Sequence, residues 1–566
     1  HVSPNGKWAS RVVHATLHRI AMGTGHATPL TTDAEPDYVY ALVPHSDLRS
    51  LSKKLAGDPP IPYGLWSPDG ERYLTYRVDE RHLYKLPFVI STDPGAKHQR
   101  PWVHYQNTAY PDDEVQRAEL MVFDMRNGRR TNLEIPKPVM AFVPTPEGGL
   151  RWNRDGSKVF AAPETPDYKS ITVYEADPVT GKARAVLTET TELTYRPDVD
   201  EALRFHLVGD GSEIVFYSER SDWGHYYLYD TATGRLKNAI TAGDWAIHSL
   251  VRIDAQGRWL YFLAGGREAG RDPYYSHLYR VSLDGGEPQL LTPENAQHSV
   301  QFSPDGQSFV DTYSTVDTPP SHELRGNDGR HIAELGKADI SGLETLGWTP
   351  PQRFSTKAAD GVTDLYGTLF LPYDFDPGKS YPIVESQYTG TQSLYAPRRF
   401  LEDKASALGL AQLGFVVMMF DGRPTPFRRQ SMQDLGFGKA VAAPIMLEDH
   451  IAAMQQLAKR HRWIDIERTG IYGHSWGGYR AARALLQFPD FYKAGVATAG
   501  SHDNYLFVYG HNRWYGHPKD YPDSYDNQTN MDLAGNLKGK LLLAHGEIDD
   551  DVHIALTMQL ADALIR

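Results

Sequence analysis

The sequence predicts a β-propeller of seven or eight blades over residues 1–350, followed by a domain of alternating strands and helices over residues 351–566. Three observations carry that division. A chain of 566 residues exceeds the ~250–300 that one hydrophobic core accommodates. Turn glycines in the first part recur at the length of a four-stranded blade. From about residue 355 the pattern changes to strand-then-helix alternation.

The blades are read from their turns. Ser3-Pro4-Asn5-Gly6, Ser67-Pro68-Asp69-Gly70, Arg154-Asp155-Gly156, Gly209-Asp210-Gly211, Ala255-Gln256-Gly257 and Ser303-Pro304-Asp305-Gly306 are variants of one turn, and apolar strands such as Ile214–Tyr217 and Trp259–Phe262 follow. Asp-Gly and Asn-Gly supply the positive φ that tight hairpins require. Gly156, Gly211, Gly257 and Gly306 lie 55, 46 and 49 residues apart. A strand–turn–strand unit also repeats, with Met121–Asp124 before Asn127-Gly128, Leu228–Asp230 before Thr233-Gly234 and Leu278–Arg280 before Asp284-Gly285. A pair of β-sandwiches is the competing arrangement, and the sustained spacing favours the propeller.

The second part opens near Gly347-Trp348-Thr349-Pro350-Pro351. Tyr381–Ser386 is a strand candidate, and Phe415–Phe420 is a continuous apolar run suited to a parallel strand buried on both faces. Met446–Leu457 has helical periodicity, Gly470–Tyr472 is a short strand, Tyr479–Leu486 a helix, and Ala494–Ala499 and Leu541–Ala544 close the series. Such alternation implies a mostly parallel sheet covered on both faces.

Composition removes several functions. With 40% hydrophobic and 11% aromatic residues, the chain as a whole is not disordered. Fifty-eight basic against 71 acidic residues give a net charge of −13 without a Lys/Arg-rich run, which argues against nucleic acid and anionic membranes as partners. Cysteine is absent, which excludes disulfides, cysteine nucleophiles and thiolate metal sites. The 23 histidines show no metal-ligand spacing, so no catalytic metal and no cofactor is expected. No apolar stretch reaches the ~18 residues of a transmembrane helix, and His1–Gly6 show no signal-peptide pattern.

Gly473-His474-Ser475-Trp476-Gly477-Gly478 fits G-x-S-x-G between a strand and a helix, the setting of a nucleophile elbow. The glycines leave room for a tight turn that lifts the Ser475 hydroxyl above the sheet at a helix N-terminus. A serine nucleophile needs a base, and the base an orienting carboxylate. In the α/β-hydrolase order that acid follows the serine on a later strand, and Leu541–Ala544 delivers the acidic loop Glu547-Ile548-Asp549-Asp550-Asp551. His553 stands too close to that loop to reach Ser475, and the His474 side chain belongs to the elbow.

These motifs, with Tyr388-Thr389-Gly390 and Phe420-Asp421-Gly422-Arg423, resemble the prolyl oligopeptidase family, in its dipeptidyl peptidase IV-like branch. The resemblance implies a β-propeller joined to an α/β-hydrolase domain, with Ser475 as nucleophile and Asp549 as triad acid. It implies that the Tyr388 hydroxyl and the Trp476 N–H form the oxyanion hole. Trp476, Val552, Tyr505 and Tyr509 correspond to the apolar pocket for the residue before the scissile bond. The triad histidine is expected beyond Arg566, with the chain starting inside the propeller. A periplasmic or secreted bacterial homodimer acting on short peptides is the matching expectation.

Two departures bear on specificity. Dipeptidyl peptidases bind the substrate amino terminus with a glutamate pair, and the corresponding segment Pro36–Leu42 carries Ala41 and Leu42 instead. Asp551 stands where the family has an asparagine or arginine that contacts a substrate carbonyl, and a carboxylate cannot donate to that carbonyl. An esterase or amidase on small acylated substrates is therefore the alternative, and a non-catalytic binding protein a third. Ser218–His225 reads as a turn with a surface ion pair, and Tyr274, Tyr275, Trp514 and Tyr515 as core or interface aromatics.

Overall fold

The computed structural model describes residues 2–13, 15–44, 51, 55–57, 61–91, 100–139, 149–194, 204–391, 393–402, 406–437 and 442–566. Among these, the first part forms six antiparallel sheets in succession. Four of them are plain meanders, exemplified by Phe205–Val208, Glu213–Ser218, His225–Asp230 and Leu236–Ala239. Gly156, Gly211 and Gly306 take positive φ in their turns, as the sequence requires. At Ala255-Gln256-Gly257 the positive φ falls on Arg258 instead, because Asp254 Oδ1 accepts from the Gln256 and Gly257 N–H groups and sets a different turn.

Trp152, His206 and Leu250, from the first strands of three consecutive sheets, line one cavity of about 580 Å³. First strands that face one another around a common space define a propeller. The hairpin Tyr84–Ile90 with Trp102–Thr108 leaves the second sheet as a separate two-stranded arm.

The second part is a seven-stranded sheet. Its strands, numbered here in chain order, are β1 (Gln352–Lys357), β2 (Asp364–Phe370), β3 (Tyr381–Gln387), β4 (Val416–Asp421), β5 (Ile464–His474), β6 (Ala494–Thr498) and β7 (Lys540–Ala544). Spatial order is β1-β2-β4-β3-β5-β6-β7; β2 is antiparallel to both its neighbours, and β3 through β7 are parallel. Helices α1 (Ala442–Arg460), α2 (Trp476–Gln487) and α3 (Ala555–Ile565) accompany it. Leu447, Met454 and Leu457 of α1 and Ala481, Ala482 and Leu485 of α2 bury against Ile383, Met418, Phe420 and Ile471.

Coverage of the sheet differs from expectation. Helix Ala407–Ala411 packs on the other face over β2 and β4, with Phe370, Val417 and Met419. Over β5–β7 that face is open among the described residues, with Leu542 60% exposed and a cavity of about 870 Å³ lined by Val384, Ile471 and Val496. The alternating burial of β6 is the signature of one covered face and one uncovered one.

The two parts are bonded together. Asp222 takes φ 69 and accepts from the Ser431 N–H (2.7 Å) and Oγ (2.9 Å), so the segment read as a surface turn is an interface. Its ion pair, Arg220 to Glu189, is also present. Tyr274 is fully buried there against Thr425, 2.7 Å between hydroxyls.

Candidate active site

Register builds the site. β3 and β5 pair Gln387 with Gly473, β5 and β6 pair His474 with Thr498, and β6 and β7 pair Thr498 with Ala544. The residues that follow, Tyr388, Ser475 and His545, therefore emerge along one carboxyl edge of the sheet, where open α/β sheets place ligands.

Ser475 has φ 57 and ψ −118 and caps α2, while its N–H donates to the Thr498 carbonyl at 2.8 Å. This strained conformation is that of a nucleophile elbow. Both neighbouring glycines are sterically required. A Cβ on Gly473 would sit 2.4 Å from the Gly477 carbonyl, and one on Gly477 only 1.8 Å from the Gln387 carbonyl oxygen. No side chain other than hydrogen fits such approaches.

Tyr388 follows β3 and packs against the cluster of Trp476, Tyr479 and Tyr515, so the two residues expected to supply oxyanion donors share one cluster. Its setting is rigid. Gln387 is fully buried, donating to Glu385 at 3.1 Å and accepting from the Thr389 N–H (2.8 Å) and Oγ (3.0 Å). Asp421 holds the loop beyond by accepting from the Tyr395 and Ala396 N–H groups at 2.7 and 3.0 Å.

The acidic loop is arranged around Asp549. Its Oδ1 accepts from the N–H groups of Asp551 (3.0 Å) and Val552 (2.9 Å), and its Oδ2 lies 3.4 Å from His545 Nε2. Burial raises this carboxyl, but the hydrogen bonds from His545 and from the Val552 and Asp551 backbone prevail and hold it below the ordinary carboxylate range. His545 turns Nδ1 to Thr557 (2.7 Å) and Nε2 to the Val552 carbonyl (2.7 Å), so its ring serves the loop. His553 docks on the propeller arm, its Nε2 3.1 Å from the Pro87 carbonyl and its ring 4.8 Å from Phe88. Among the described residues no histidine bonds the Ser475 hydroxyl, and His474 Nδ1 faces Thr498 at 2.9 Å.

The pocket residues separate into two groups. Trp476 is enclosed by Tyr479, Phe507, His511 and Tyr515, with ring centroids 5.3, 6.3, 4.7 and 5.5 Å away. Tyr509 instead packs on Tyr168 of the propeller and donates to the Pro166 carbonyl at 2.8 Å, while Tyr505 donates to Asp526 at 2.8 Å. Val552 is buried beside Asp549, and Asp551 is half-buried. Sequence reasoning missed Phe507 and His511; the four-residue spacing of Phe507, His511 and Tyr515 was the available signal. Ala41 is fully buried in the propeller core with Val12, Leu17 and Tyr73, and Leu42 packs beside it.

One further cluster has metal-like geometry. Single ligand atoms of Glu294, His298 and Asp311 lie within 4.8 Å of one another. The Arg325 guanidinium already pairs with Glu294 (2.6 Å) and Asp311 (3.4 Å), supplying the positive charge these carboxylates need.

Comparison with known proteins fits this geometry. Residues 64–320 match the dipeptidyl peptidase IV (DPP IV) N-terminal region, and residues 403–566 match the prolyl oligopeptidase family. The chain belongs to the prolyl oligopeptidase family. Within it, the N-terminal match and the relatives place it with the dipeptidyl peptidase IV-like members. It is 32% identical to human dipeptidyl peptidase 8 over 346 residues, 58% of this chain and 38% of that one. It is 27% identical to dipeptidyl peptidase 4 of Trichophyton rubrum over 582 residues, 96% of this chain and 68% of that one. The match therefore spans well under half the length of the human relative. The crystal structure of Porphyromonas gingivalis dipeptidyl peptidase 4 shares the fold, with a TM-score of 0.84 at 21% identity, covering 100% of this chain and 77% of that one.

Proposed function

We propose that the protein is a serine peptidase that cleaves short peptides through an acyl-enzyme on Ser475. The observation that carries this is the Ser475 elbow, with Tyr388 and Trp476 packed beside it and Asp549 on the loop after β7. Residues 1–350 form a propeller of seven or eight blades that restricts access, and residues 351–566 carry the chemistry. A histidine oriented by Asp549 takes the Ser475 proton as Oγ attacks the carbonyl carbon. The Tyr388 hydroxyl and Trp476 N–H stabilise the oxyanion. The proton passes to the leaving amine, and water then releases the acyl group.

A second reading, hydrolysis of small acylated compounds, draws on the apolar burial of Ala41 and Leu42. That segment offers no carboxylate to a free amino terminus. The test is a fluorophosphonate probe on the full-length protein and its Ser475→Ala variant, followed by dipeptidyl nitroanilides and nitrophenyl esters. One adduct lost in the variant, with nitroanilides turned over faster than esters, supports the peptidase. Ester turnover alone supports the second reading. No adduct on folded protein defeats both.

A further inference from the structure

Arg480 is the largest side chain buried below 2% exposure, and the mechanism above does not use it. It stands one turn after Trp476 on α2, and its guanidinium carbon lies 5.5 Å from the centre of the Trp476 ring. Nε and Nη1 are buried without a hydrogen-bond partner, and the nearby Tyr515 hydroxyl lies within reach of Thr391 and of the Arg480 guanidinium. The charges and dipoles that act on it come from Tyr515, Tyr479, Tyr388 and Glu385. Glu385 is itself engaged, with His450 Nδ1 at 2.7 Å, the Tyr492 hydroxyl at 2.9 Å and Gln387 at 3.1 Å. Among the described residues Arg480 forms no ion pair.

A buried guanidinium in an aromatic shell is costly unless an anion meets it, and carboxylates meet arginine in a two-pronged geometry that lysine cannot copy. Trp476, against which Arg480 stacks, is the residue expected to wall the pocket for the residue before the scissile bond. We propose that Arg480 is a specificity-determining residue, and that this pocket takes the carboxylate of an aspartate or glutamate side chain. The carboxylate accepts from one unpartnered edge of the Arg480 guanidinium, at Nη1, and from the Tyr515 hydroxyl. This rests on the peptidase reading above and names its substrate class.

The experiment uses full-length wild type, Arg480→Met and Arg480→Lys with dipeptidyl nitroanilides differing only in Glu, Gln, Asp, Asn, Ala or Pro before the nitroanilide. Wild type should favour Glu over the isosteric Gln by at least ~10-fold in kcat/KM, about the discrimination one charge-assisted pair supplies. Arg480→Met should bring that ratio to one or below, and Arg480→Lys should fall between. Ser475 labelled by the fluorophosphonate probe, together with equal use of Glu and Gln or an unchanged ratio in Arg480→Met, overturns the proposal while leaving the peptidase reading intact. A measurement without turnover covers a failed variant or an inactive sample. N-acetylglutamate should raise the thermal midpoint of Ser475→Ala where N-acetylglutamine does not, and equal shifts, or none, overturn the proposal.

Discussion

The carbonyl oxygen of Gln387 occupies the space that a side chain on Gly477 would need, with a Cβ there only 1.8 Å away. Strand β3 and helix α2 are in backbone contact at this point, and the contact holds Tyr388 beside Ser475. Gly477→Ala should therefore push the elbow from β3, with a stability loss of roughly 1–3 kcal/mol typical of overpacking. Loss of fluorophosphonate labelling with a lowered denaturation midpoint is the expected result, and normal labelling would show that the elbow tolerates the shift.

On the proposed mechanism Tyr388→Phe removes one oxyanion donor and little packing, because the ring remains against Trp476 and Tyr515. A fall of ~10²–10³ in kcat with KM and thermal midpoint nearly unchanged is expected. Equal kcat for both proteins would assign the hydroxyl no part in the chemistry.

Gln387→Met should reach the same donor from behind. It cuts the hydrogen bonds to Glu385 and Thr389 that fix the backbone on either side of Tyr388. A smaller fall in kcat, about 10-fold, is expected, and it should vanish in a Tyr388→Phe background. Additive losses in the double variant would mean that Gln387 acts elsewhere.

Acid should destabilise the fold through its buried histidines. Burial pushes His248, His277, His502 and His511 down to about 3. In the unfolded chain they titrate near 6.5, so between those values the unfolded state binds protons that the native state refuses. Stability is unaffected above about pH 6.5 and falls progressively below it, by about 1.4 kcal/mol per pH unit for each such histidine. Denaturant midpoints compared across that range should show a shallower decline for His248→Gln than for wild type. Parallel curves would show that His248 protonates freely in the fold.

The propeller arm should influence the acid loop. Phe88 packs on His553 and, with Leu86 and Ile90, on Ile548, so Phe88→Ala empties a contact between domains. A loss of up to ~3–5 kcal/mol is the scale for such truncations, with faster amide exchange over residues 546–553. Unchanged exchange there would show that β7 and Asp549 hold the loop without the arm.

Much of this architecture is written locally. Glycine-bearing turns and short apolar strands repeat because each blade needs the same hairpins, and Phe415–Phe420 reads as a buried strand because both its faces are covered. The elbow is legible because no residue but glycine survives approaches such as that of Gly477 to Gln387. Those signals lie within a few residues of one another, so a linear reading reaches them.

Other features have no local signal. Asp222 resembles any turn aspartate until Ser431 meets it, and the strands Tyr84–Ile90 and Trp102–Thr108 look like parts of another blade until, among the described residues, they pair only with each other. Tyr505 and Tyr509 are aromatics at a plausible spacing, yet packing sends them to Asp526 and the propeller while Phe507 and His511 enclose Trp476. The sequence by itself determined the two domain types, the serine and the acidic loop, because backbone conformation and hydrophobic period depend on near neighbours. Only the tertiary structure decided which side chains enclose Trp476 and that Arg480 is buried beside it with no ion pair among the described residues, because burial and charge pairing depend on groups brought together from distant parts of the chain.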